Sequence, residues 1–279
     1  MDIIEKARTL LSDDPYDQGY FDTHKRRYSA VFSLIQSYLN HKFGDGKKLR
    51  ILELGSYHLH MLSIFKSAGY NFLYGLDLPT IVEKELIKKR ANKLGITNSA
   101  YTLNNIGKPV KIPYDDDQFD VIICLEMIEH ITFNPASFWK EILRITNNRG
   151  VLFIATPNAL SLIKWLSRLK KLILRRSYGI SMHEIFNKIT TGHHWKEYSP
   201  GEMKTYFVEL GDIFRFEKME SYKWRSYKRF NKWIQILYDF QESVLPVHFR
   251  SEMFYIYSVD KNREINIKDP DRQFYRIKE

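Results

Sequence analysis

The sequence predicts a doubly wound α/β fold with a mostly parallel sheet. Short, continuously apolar runs recur along residues 1–157, and such runs are typical of strands that are buried on both faces. Amphipathic segments of helical length separate these runs, as the crossover connections of a parallel sheet require. An acid or a glycine follows several of the runs, at the strand ends where ligands bind in such sheets. We therefore expect a ligand site at the carboxyl edge of the sheet.

The predicted elements alternate in chain order. A first amphipathic helix is expected over residues 28–41, and it ends at the glycine-containing turn 44–46. Buried strands are predicted over residues 49–54, 72–76, 119–124 and 151–155. Helices are predicted between them over residues 58–68, 81–94 and 135–145.

Length and composition describe a globular protein with a sizeable core. The chain has 279 residues, of which 44% are hydrophobic and 27% are charged. No stretch approaches the roughly 18 apolar residues of a membrane span. Residues 1–14 are acidic and lack the basic-then-apolar order of a secretory signal. Cys124 is the sole cysteine, which excludes an internal disulfide and fits a reducing compartment. We therefore expect a cytoplasmic protein.

The positive charge is concentrated in the second half of the chain. Residues 1–157 contain 20 Lys and Arg against 18 Asp and Glu, whereas residues 158–279 contain 23 against 15. This excess indicates either an acidic partner or a solvated basic surface.

The stretch LRILELGSYHLHML, residues 49–62, begins like a nucleotide-binding turn. A dinucleotide site would place two further glycines after Gly55, but Tyr57 and Leu59 stand there. S-adenosylmethionine has a ribose and an adenine but no phosphate, so it does not require those glycines. Asp77 ends the next strand and can accept hydrogen bonds from both ribose hydroxyls. The alternative is that Gly55 only marks a turn and that Asp77 caps the following helix.

Several motifs together resemble one family. The chain from residue 49 to about 158 is similar to class I S-adenosylmethionine-dependent methyltransferases of the type 11/12 kind. The motifs are ILELGS, YGLDLP, IPYDDDQFDVIICLEMIEHI and EILRITNNRGVLFIATPN, followed by GHHWKEYSPGEMKTYFVELGD. The resemblance extends over roughly residues 30–215. It implies a seven-stranded Rossmann-like sheet with an N-terminal helical cap and a helical insert after the fifth strand.

The resemblance also implies the domain layout and the cofactor. The expected units are an N-terminal helical segment (1–45), a cofactor-binding core (46–157), a basic helical insert with a lid-like loop (158–200) and a C-terminal part with the last strands (201–279). The expected cofactor is S-adenosyl-L-methionine. In LNNIGK an amide replaces the usual acid that contacts the adenine amino group, and it can still accept a hydrogen bond. The implied cofactor contacts are Glu53, Gly55, Ser56, Tyr57, Asp77, Leu78, Asn105, Ile106, Leu125 and Glu126.

Three residues are candidates for catalysis. His130 follows the fourth strand, where the donor methyl lies in this fold, and a neutral imidazole there can accept a proton from an attacking hydroxyl. Glu129 either assists His130 or forms a structural pair with it. His193 lies with His194 in a lid-like connection and either faces the acceptor or is solvated. No group of residues has the spacing of a structural zinc site, so no metal is predicted.

The insert carries a distinctive helix. Residues 158–179 contain six Lys and Arg and no acid. One face is apolar and the other carries Lys164, Arg168, Lys171 and Arg175. Residues 160–176 therefore either rest on an anionic membrane surface, bind a phosphorylated or lipid-linked acceptor, or pack on the core. Aromatic and basic residues interleave over residues 224–233, but no nucleic-acid-binding module is recognisable, so nucleic acid is not the expected partner.

These features predict an S-adenosylmethionine-dependent methyltransferase. The expected acceptor is a hydroxyl on a small molecule or on a bacterial-type glycan or its phosphorylated or lipid-linked precursor, with an amine as the less favoured group. The alternative is a non-catalytic adenosylmethionine-binding or scaffold protein whose altered turn has lost turnover. A nicotinamide oxidoreductase is disfavoured by the missing glycines.

Overall fold

Seven strands form one mixed sheet in the computed structural model, which describes residues 2–11, 14–102, 111–174, 180, 182–187, 193–223 and 232–262. The strands are β1 (Arg50–Leu54), β2 (Phe72–Asp77), β3 (Thr97–Ala100), β4 (Phe119–Leu125), β5 (Thr146–Pro157), β6 (Phe214–Ser221) and β7 (Glu252–Val259). Their order across the sheet is β3-β2-β1-β4-β5-β7-β6. The first five strands are parallel to one another, and β7 is antiparallel to both β5 and β6. The predicted mostly parallel, doubly wound sheet is confirmed.

Both faces of the central strands are buried. Ile51 and Ile123 belong to the hydrophobic cluster on one side of the sheet. Their chain neighbours Leu52 and Ile122 belong to the cluster on the other side. Successive side chains of a strand point to opposite faces, so a strand covered on both sides must be apolar at every position. This explains why the strands read as continuous apolar runs.

Ten α-helices lie within the described residues. They are α1 (Ile3–Leu10), α2 (Pro15–Phe43), α3 (His60–Ser67), α4 (Pro79–Val82), α5 (Glu85–Leu94), α6 (Ala136–Ile145), α7 (Leu162–Ile173), α8 (Met182–Asn187), α9 (Pro200–Thr205) and α10 (Lys232–Ser243). None of them combines the length and the apolar character that crossing a bilayer requires.

Helix α2 begins well before the predicted start at residue 28. The Asp14 side chain accepts hydrogen bonds from the backbone N–H groups of Tyr16 and Asp17, at 2.8 and 3.1 Å. Pro15 occupies the first helical position, where its missing N–H costs nothing. An Asp-Pro start of this kind is a strong capping signal. The prediction was wrong because apolar spacing is weak in the polar first half of the helix.

Three further boundaries differ from the prediction. The helix expected over residues 81–94 is two helices, because Lys84 has an extended conformation between them. Strand β3 was not placed because its sequence, TNSA, contains no apolar run and it lies at the sheet edge. Strand β5 begins at Thr146 rather than residue 151, since the polar NNRG segment is part of the strand.

Candidate active site

A cavity of about 510 Å³ lies at the carboxyl ends of β1, β2, β4 and β5. Glu53, Asp77, Leu125 and Ala155 line it from these strands. Helix α2 forms another part of the wall through Tyr20, Arg27, Tyr28 and Val31. Its volume falls in the range of small-molecule sites, about 300–1,000 Å³. Its position is the one where doubly wound sheets bind their ligands.

The predicted cofactor contacts converge on this cavity. Eight of them line it: Glu53, Gly55, Ser56, Tyr57, Asp77, Leu78, Leu125 and Glu126. Asn105 and Ile106 lie outside the described residues. The individual contacts of these residues with a bound cofactor remain predictions.

The Asp77 carboxylate is held by backbone N–H groups and still has acceptor sites for a ligand. Its carboxylate accepts hydrogen bonds from the N–H groups of Tyr57 and Leu78, each at 2.7 Å. Burial raises the pKa of this carboxyl, while the two backbone hydrogen bonds oppose the shift. Leu78 is the N-cap residue of α4 and no side chain caps that helix, so the helix-cap reading of Asp77 is wrong. A carboxylate has about four acceptor sites, which leaves two for ribose hydroxyls.

Two buried carboxylate oxygens in the cavity wall find no hydrogen-bond donor among the described residues. They are Oε2 of Glu53 and Oε1 of Glu126. Burial, followed by the charge of Asp77, raises the pKa of Glu53 well above its usual value. Buried polar atoms normally have partners, and their absence suggests that a ligand supplies them. Adenosylmethionine fits these acceptors, because its methionine part has an ammonium group.

Three residues of the turn after β1 have a left-handed backbone conformation, and two of the three are not glycine. Gly55 has φ 67°, and a Cβ atom there would lie 3.1 Å from Cγ of Met127. Tyr57 and Leu59 have φ of 42° and 63°. A left-handed conformation costs an L-residue roughly 1–2 kcal/mol. The sequence therefore keeps a turn that glycines would adopt without strain.

A buried network from α2 holds this turn. Oδ1 of Asp17 accepts hydrogen bonds from Nδ1 of His58 at 2.5 Å and from Nε2 of His60 at 2.9 Å. Arg90 donates to Oδ2 of Asp17 and, at 2.8 Å, to the backbone oxygen of His58. Because Nε2 of His60 is a donor, its Nδ1 accepts from the Tyr28 hydroxyl, at 3.0 Å. Asp17 and Arg90 are 1% and 0% exposed.

The ring of Tyr57 lies flat on the imidazole of His58, with a centroid distance of 4.0 Å and an interplanar angle of 6°. This stacking and the Asp77 hydrogen bond position Tyr57 in the cavity wall. The Asp17 network therefore stabilises the strained backbone of the turn through His58 and His60.

An ion pair in the cavity wall joins α2 to the end of β4. Nη1 of Arg27 lies 3.3 Å from Oε2 of Glu126, and both side chains are largely buried. Arg27 is the one Lys or Arg among the described residues that line the cavity. Tyr222, which follows β6, also lines it, and its buried hydroxyl finds no partner among the described residues.

The three catalytic candidates lie close together but differ in their access to the cavity. His130 lines the cavity, whereas Glu129 and His193 do not. Nδ1 of His130 donates to the backbone oxygen of His193 at 2.9 Å, which leaves Nε2 as the basic nitrogen of the neutral ring. Burial, followed by His194, lowers the pKa of His130. Oε2 of Glu129 accepts from the Thr156 hydroxyl at 3.0 Å.

His193 supplies a backbone acceptor, and its ring packs against Trp195 at 5.4 Å. His193 was expected either to face the acceptor or to be solvated. It is 5% exposed and does not line the cavity, so it is instead buried within its loop. Its neighbour His194 is exposed, and its ring lies 4.8 Å from that of His130.

Two groups of potential metal-ligating atoms occur among the described residues. One comprises Asp17, His58 and His60, whose polar atoms already bond to one another. The other comprises Glu129, His130 and His194, whose ligand atoms lie within 4.8 Å of one another. The absence of a bound metal stays a prediction.

Sequence reasoning missed the contribution of α2. Asp17, Arg27 and Tyr28 lie before or at the start of the predicted helix, and Tyr222 lies far along the chain. The Asp14-Pro15 capping signal would have extended the helix to these positions. No sequence signal pairs Asp17 with His58, because the two are 41 residues apart.

The strand order, with antiparallel β7 between β5 and β6, and the strand-end acids define the class I methyltransferase fold. The family described as "Methyltransferase domain" matches residues 23–209, and the chain belongs to it. The chain therefore has the domain of an S-adenosylmethionine-dependent methyltransferase, and the cofactor is S-adenosyl-L-methionine.

Two curated relatives are also named as methyltransferases. The chain is 33% identical over 95 residues to the mitochondrial ubiquinone biosynthesis O-methyltransferase of Dictyostelium discoideum, covering 33% of this chain and 26% of that protein. It is 26% identical over 135 residues to the ubiquinone biosynthesis O-methyltransferase of Rickettsia typhi, covering 48% and 51%. The chain thus spans a quarter to half the length of these relatives.

Magnesium protoporphyrin IX methyltransferase from Synechocystis PCC 6803, solved with bound SAH, shares the fold with a TM-score of 0.50 and 15% identity, covering 92% of this chain and 94% of that chain.

Proposed function

We propose that the protein transfers the methyl group to a hydroxyl of a small molecule. The observation that carries this proposal is His130, whose Nε2 is left basic at the cavity by the hydrogen bond of Nδ1 to a backbone oxygen. A hydroxyl must lose its proton as it is methylated, so a base at this place has a direct use. The names of the two curated relatives, both O-methyltransferases, also support oxygen as the acceptor atom.

Four residues around the cavity would hold the cofactor. Asp77 accepts the ribose hydroxyls, and Glu53 and Glu126 accept hydrogen bonds from the ammonium group. Arg27 pairs with the methionine carboxylate, the one negative group of the cofactor. Bound in this way, adenosylmethionine supplies an electrophilic methyl group on its sulfonium.

His130 acts on the acceptor. Nε2 accepts the hydroxyl proton, and the His193 carbonyl holds the ring in the tautomer that this transfer needs. Its lowered pKa keeps the ring neutral near pH 7, since burial and His194 disfavour the imidazolium. Ile131 and Phe133 follow in the cavity wall and offer an apolar surface to the rest of the acceptor.

A glycan or phosphorylated precursor is a second acceptor class, but no contact favours it. Lys164 and Arg168, for which phosphate binding was one of the alternatives, lie 2.8 and 3.4 Å from the Glu197 carboxylate. Arg175 lies outside the described residues. Lys164 and Arg168 therefore hold the loop that contains Glu197, whereas Lys171 is exposed.

The test is a product analysis with isotope-labelled adenosylmethionine. A panel of phenols, aliphatic alcohols and amines is incubated with the enzyme, and mass spectrometry locates the labelled methyl. We expect O-methylated products, and His130→Gln should lower turnover roughly 10²–10⁴-fold with little change in cofactor affinity. His41→Gln, at an exposed helix position, is the matched control.

Activity that rises with pH through the pKa of a histidine in wild type, and loses this dependence in His130→Gln, would support the role of His130 as base. Equal activity after chelation with EDTA would separate a base from a metal ligand. Exclusive N-methylation, or a His130→Gln enzyme with full turnover, would contradict the proposal.

A further inference from the structure

Helix α7 exposes the apolar stripe that could have packed on the core. No residue of α7 is buried. Leu162, Ile163 and Leu166 are half-buried near its start. From there the stripe turns outward: Trp165 is 54% exposed and Ile173 is 72% exposed. The apolar stripe is therefore partly covered near the start of α7 and exposed along the rest of the helix.

Helix α10 carries a second exposed stripe. Trp233, Ile236 and Phe240 are 75%, 48% and 45% exposed. Their spacing of three and four residues places them along one side of the helix. The two helices contact each other, and the backbone N–H of Ile163 donates to Oε1 of Gln241 at 2.8 Å.

We define the α7/α10 surface by its exposed apolar side chains and the lysines beside them. These are Trp165, Ile173, Trp233 and Phe240, with Lys170 and Lys171.

Positive charge accompanies the apolar side chains. Helix α7 contains Lys164, Arg168, Lys170 and Lys171 and no acid. Lys164 and Arg168 pair with Glu197. Lys170 and Lys171 are exposed and adjoin Leu169 and Leu172 in the chain. The surface thus combines exposed apolar side chains with exposed cations.

We propose that the α7/α10 surface docks the enzyme on an anionic lipid bilayer. Exposed tryptophans suit the boundary between headgroups and acyl chains, because they are amphipathic. Lysines beside them attract anionic headgroups. Helix α7 has 12 residues, a length of about 18 Å at about 1.5 Å per residue, so it lies along the surface rather than crossing it.

The charge favours a bilayer over a second copy of the chain. Lysine is depleted from the cores of protein interfaces. In a two-fold dimer through this surface, the lysines of α7 would face positively charged copies of the same patch. An anionic bilayer offers the complementary charge and a fluid apolar layer for Trp165 and Ile173.

The test is vesicle flotation of the full-length protein with phosphatidylcholine vesicles, with and without phosphatidylglycerol. We expect flotation with the anionic vesicles only, weakened by salt. Lys170→Gln/Lys171→Gln should lower the partition coefficient about 30-fold, because each lysine at an anionic surface contributes roughly fivefold. Lys88→Gln/Lys89→Gln on α5 removes the same charge from an exposed helix elsewhere and should leave partition unchanged.

The apolar part has its own matched pair. Ile173→Gln should lower the partition coefficient about tenfold or more, which is the loss expected when a buried aliphatic side chain is removed. Val208→Gln, at another exposed position, should leave the partition coefficient unchanged. Circular dichroism confirms that each variant is folded.

Absence of flotation on anionic vesicles overturns the proposal. It is equally overturned if both lysine pairs have the same effect. A concentration-dependent dimer that Ile173→Gln dissociates, without flotation, would assign the surface to a second copy instead. Since flotation needs no methyl transfer, these outcomes are independent of the proposed reaction.

Discussion

Replacing Asp17 with asparagine should destabilise the fold and weaken cofactor binding together. Asp17 is 1% exposed and neutralises Arg90, which is 0% exposed. Asparagine keeps the shape but removes the negative charge that Arg90, His58 and His60 share. Breaking a buried ion pair in this way costs about 3–5 kcal/mol. Typical domains have a total stability of about 5–15 kcal/mol, so a large part would be lost.

Cofactor affinity should fall because Asp17 holds His58 and His60, which flank the strained turn at Leu59. Urea unfolding measures the loss of stability, and calorimetric titration with S-adenosylhomocysteine measures the loss of affinity. Asp22→Asn is the control, since Asp22 lies in the same helix and also pairs with an arginine, Arg8, but at the surface. Surface ion pairs contribute little, so this variant should resemble wild type.

In the same variant, the dependence of the free energy of unfolding on pH should change. Burial raises the pKa of Asp17, but hydrogen bonds from His58, His60 and Arg90 outweigh it and lower the pKa far below the usual value. A lowered folded-state pKa stabilises the protein above the unfolded pKa, about 3.9, and this stability is lost as the pH falls below it. Burial lowers the pKa of His60, so its contribution is lost as the pH falls below about 6.5. Asp17→Asn should lose the dependence below pH 4.

The reasoning is refuted if Asp17→Asn and Asp22→Asn lose the same stability, because Asp17 would then not act as a buried counter-ion. It is also refuted if Asp17→Asn unfolds more easily but binds S-adenosylhomocysteine as tightly as wild type when folded, because the network would then not position the turn.

Two further predictions concern cofactor contacts. Arg27→Met should weaken S-adenosylhomocysteine binding by about 1.5–3 kcal/mol, the usual range for a hydrogen bond to a charged group, whereas Arg26→Met, at the exposed neighbouring position, should not. Equal affinities of the two variants would remove Arg27 from the site. Asp77→Asn should weaken binding by a similar amount, and titration of adenosine should show the same loss, because the ribose is the part that Asp77 contacts. Unchanged affinity for adenosine would show that Asp77 only holds the turn.

The core of the fold could be predicted because each buried strand must be apolar at every position. The apolar runs at residues 49–54 and 119–124 were sufficient by themselves to predict two strands of the sheet. The polar edge strand β3 has no such pattern, and its pairing with β2 depends on contacts that sequence spacing does not reveal. The predicted strand-end acids line the cavity, because the carboxyl ends of parallel strands lie on one edge of the sheet. Once the strands were predicted, the position of these acids followed.

The contribution of α2 could not be derived from apolar spacing. Arg27 pairs with Glu126 across 99 residues, and Asp17 meets Arg90 across 73. The sequence shows that Tyr57 and Leu59 replace glycines, but not that both take the left-handed conformation or that a buried aspartate stabilises the turn. Likewise, an apolar stripe on α7 reads the same whether it is covered or exposed, so only the structure identifies Ile173 as a surface residue.

The most direct test of the account is calorimetric titration of the wild-type enzyme with S-adenosylhomocysteine. The central claim is that a glycine-poor turn, stabilised by α2, still forms a complete cofactor site at the strand ends. The account predicts saturable binding with one ligand per chain, competed by adenosylmethionine. Absence of binding heat at millimolar ligand, in a protein shown to be folded, would contradict it.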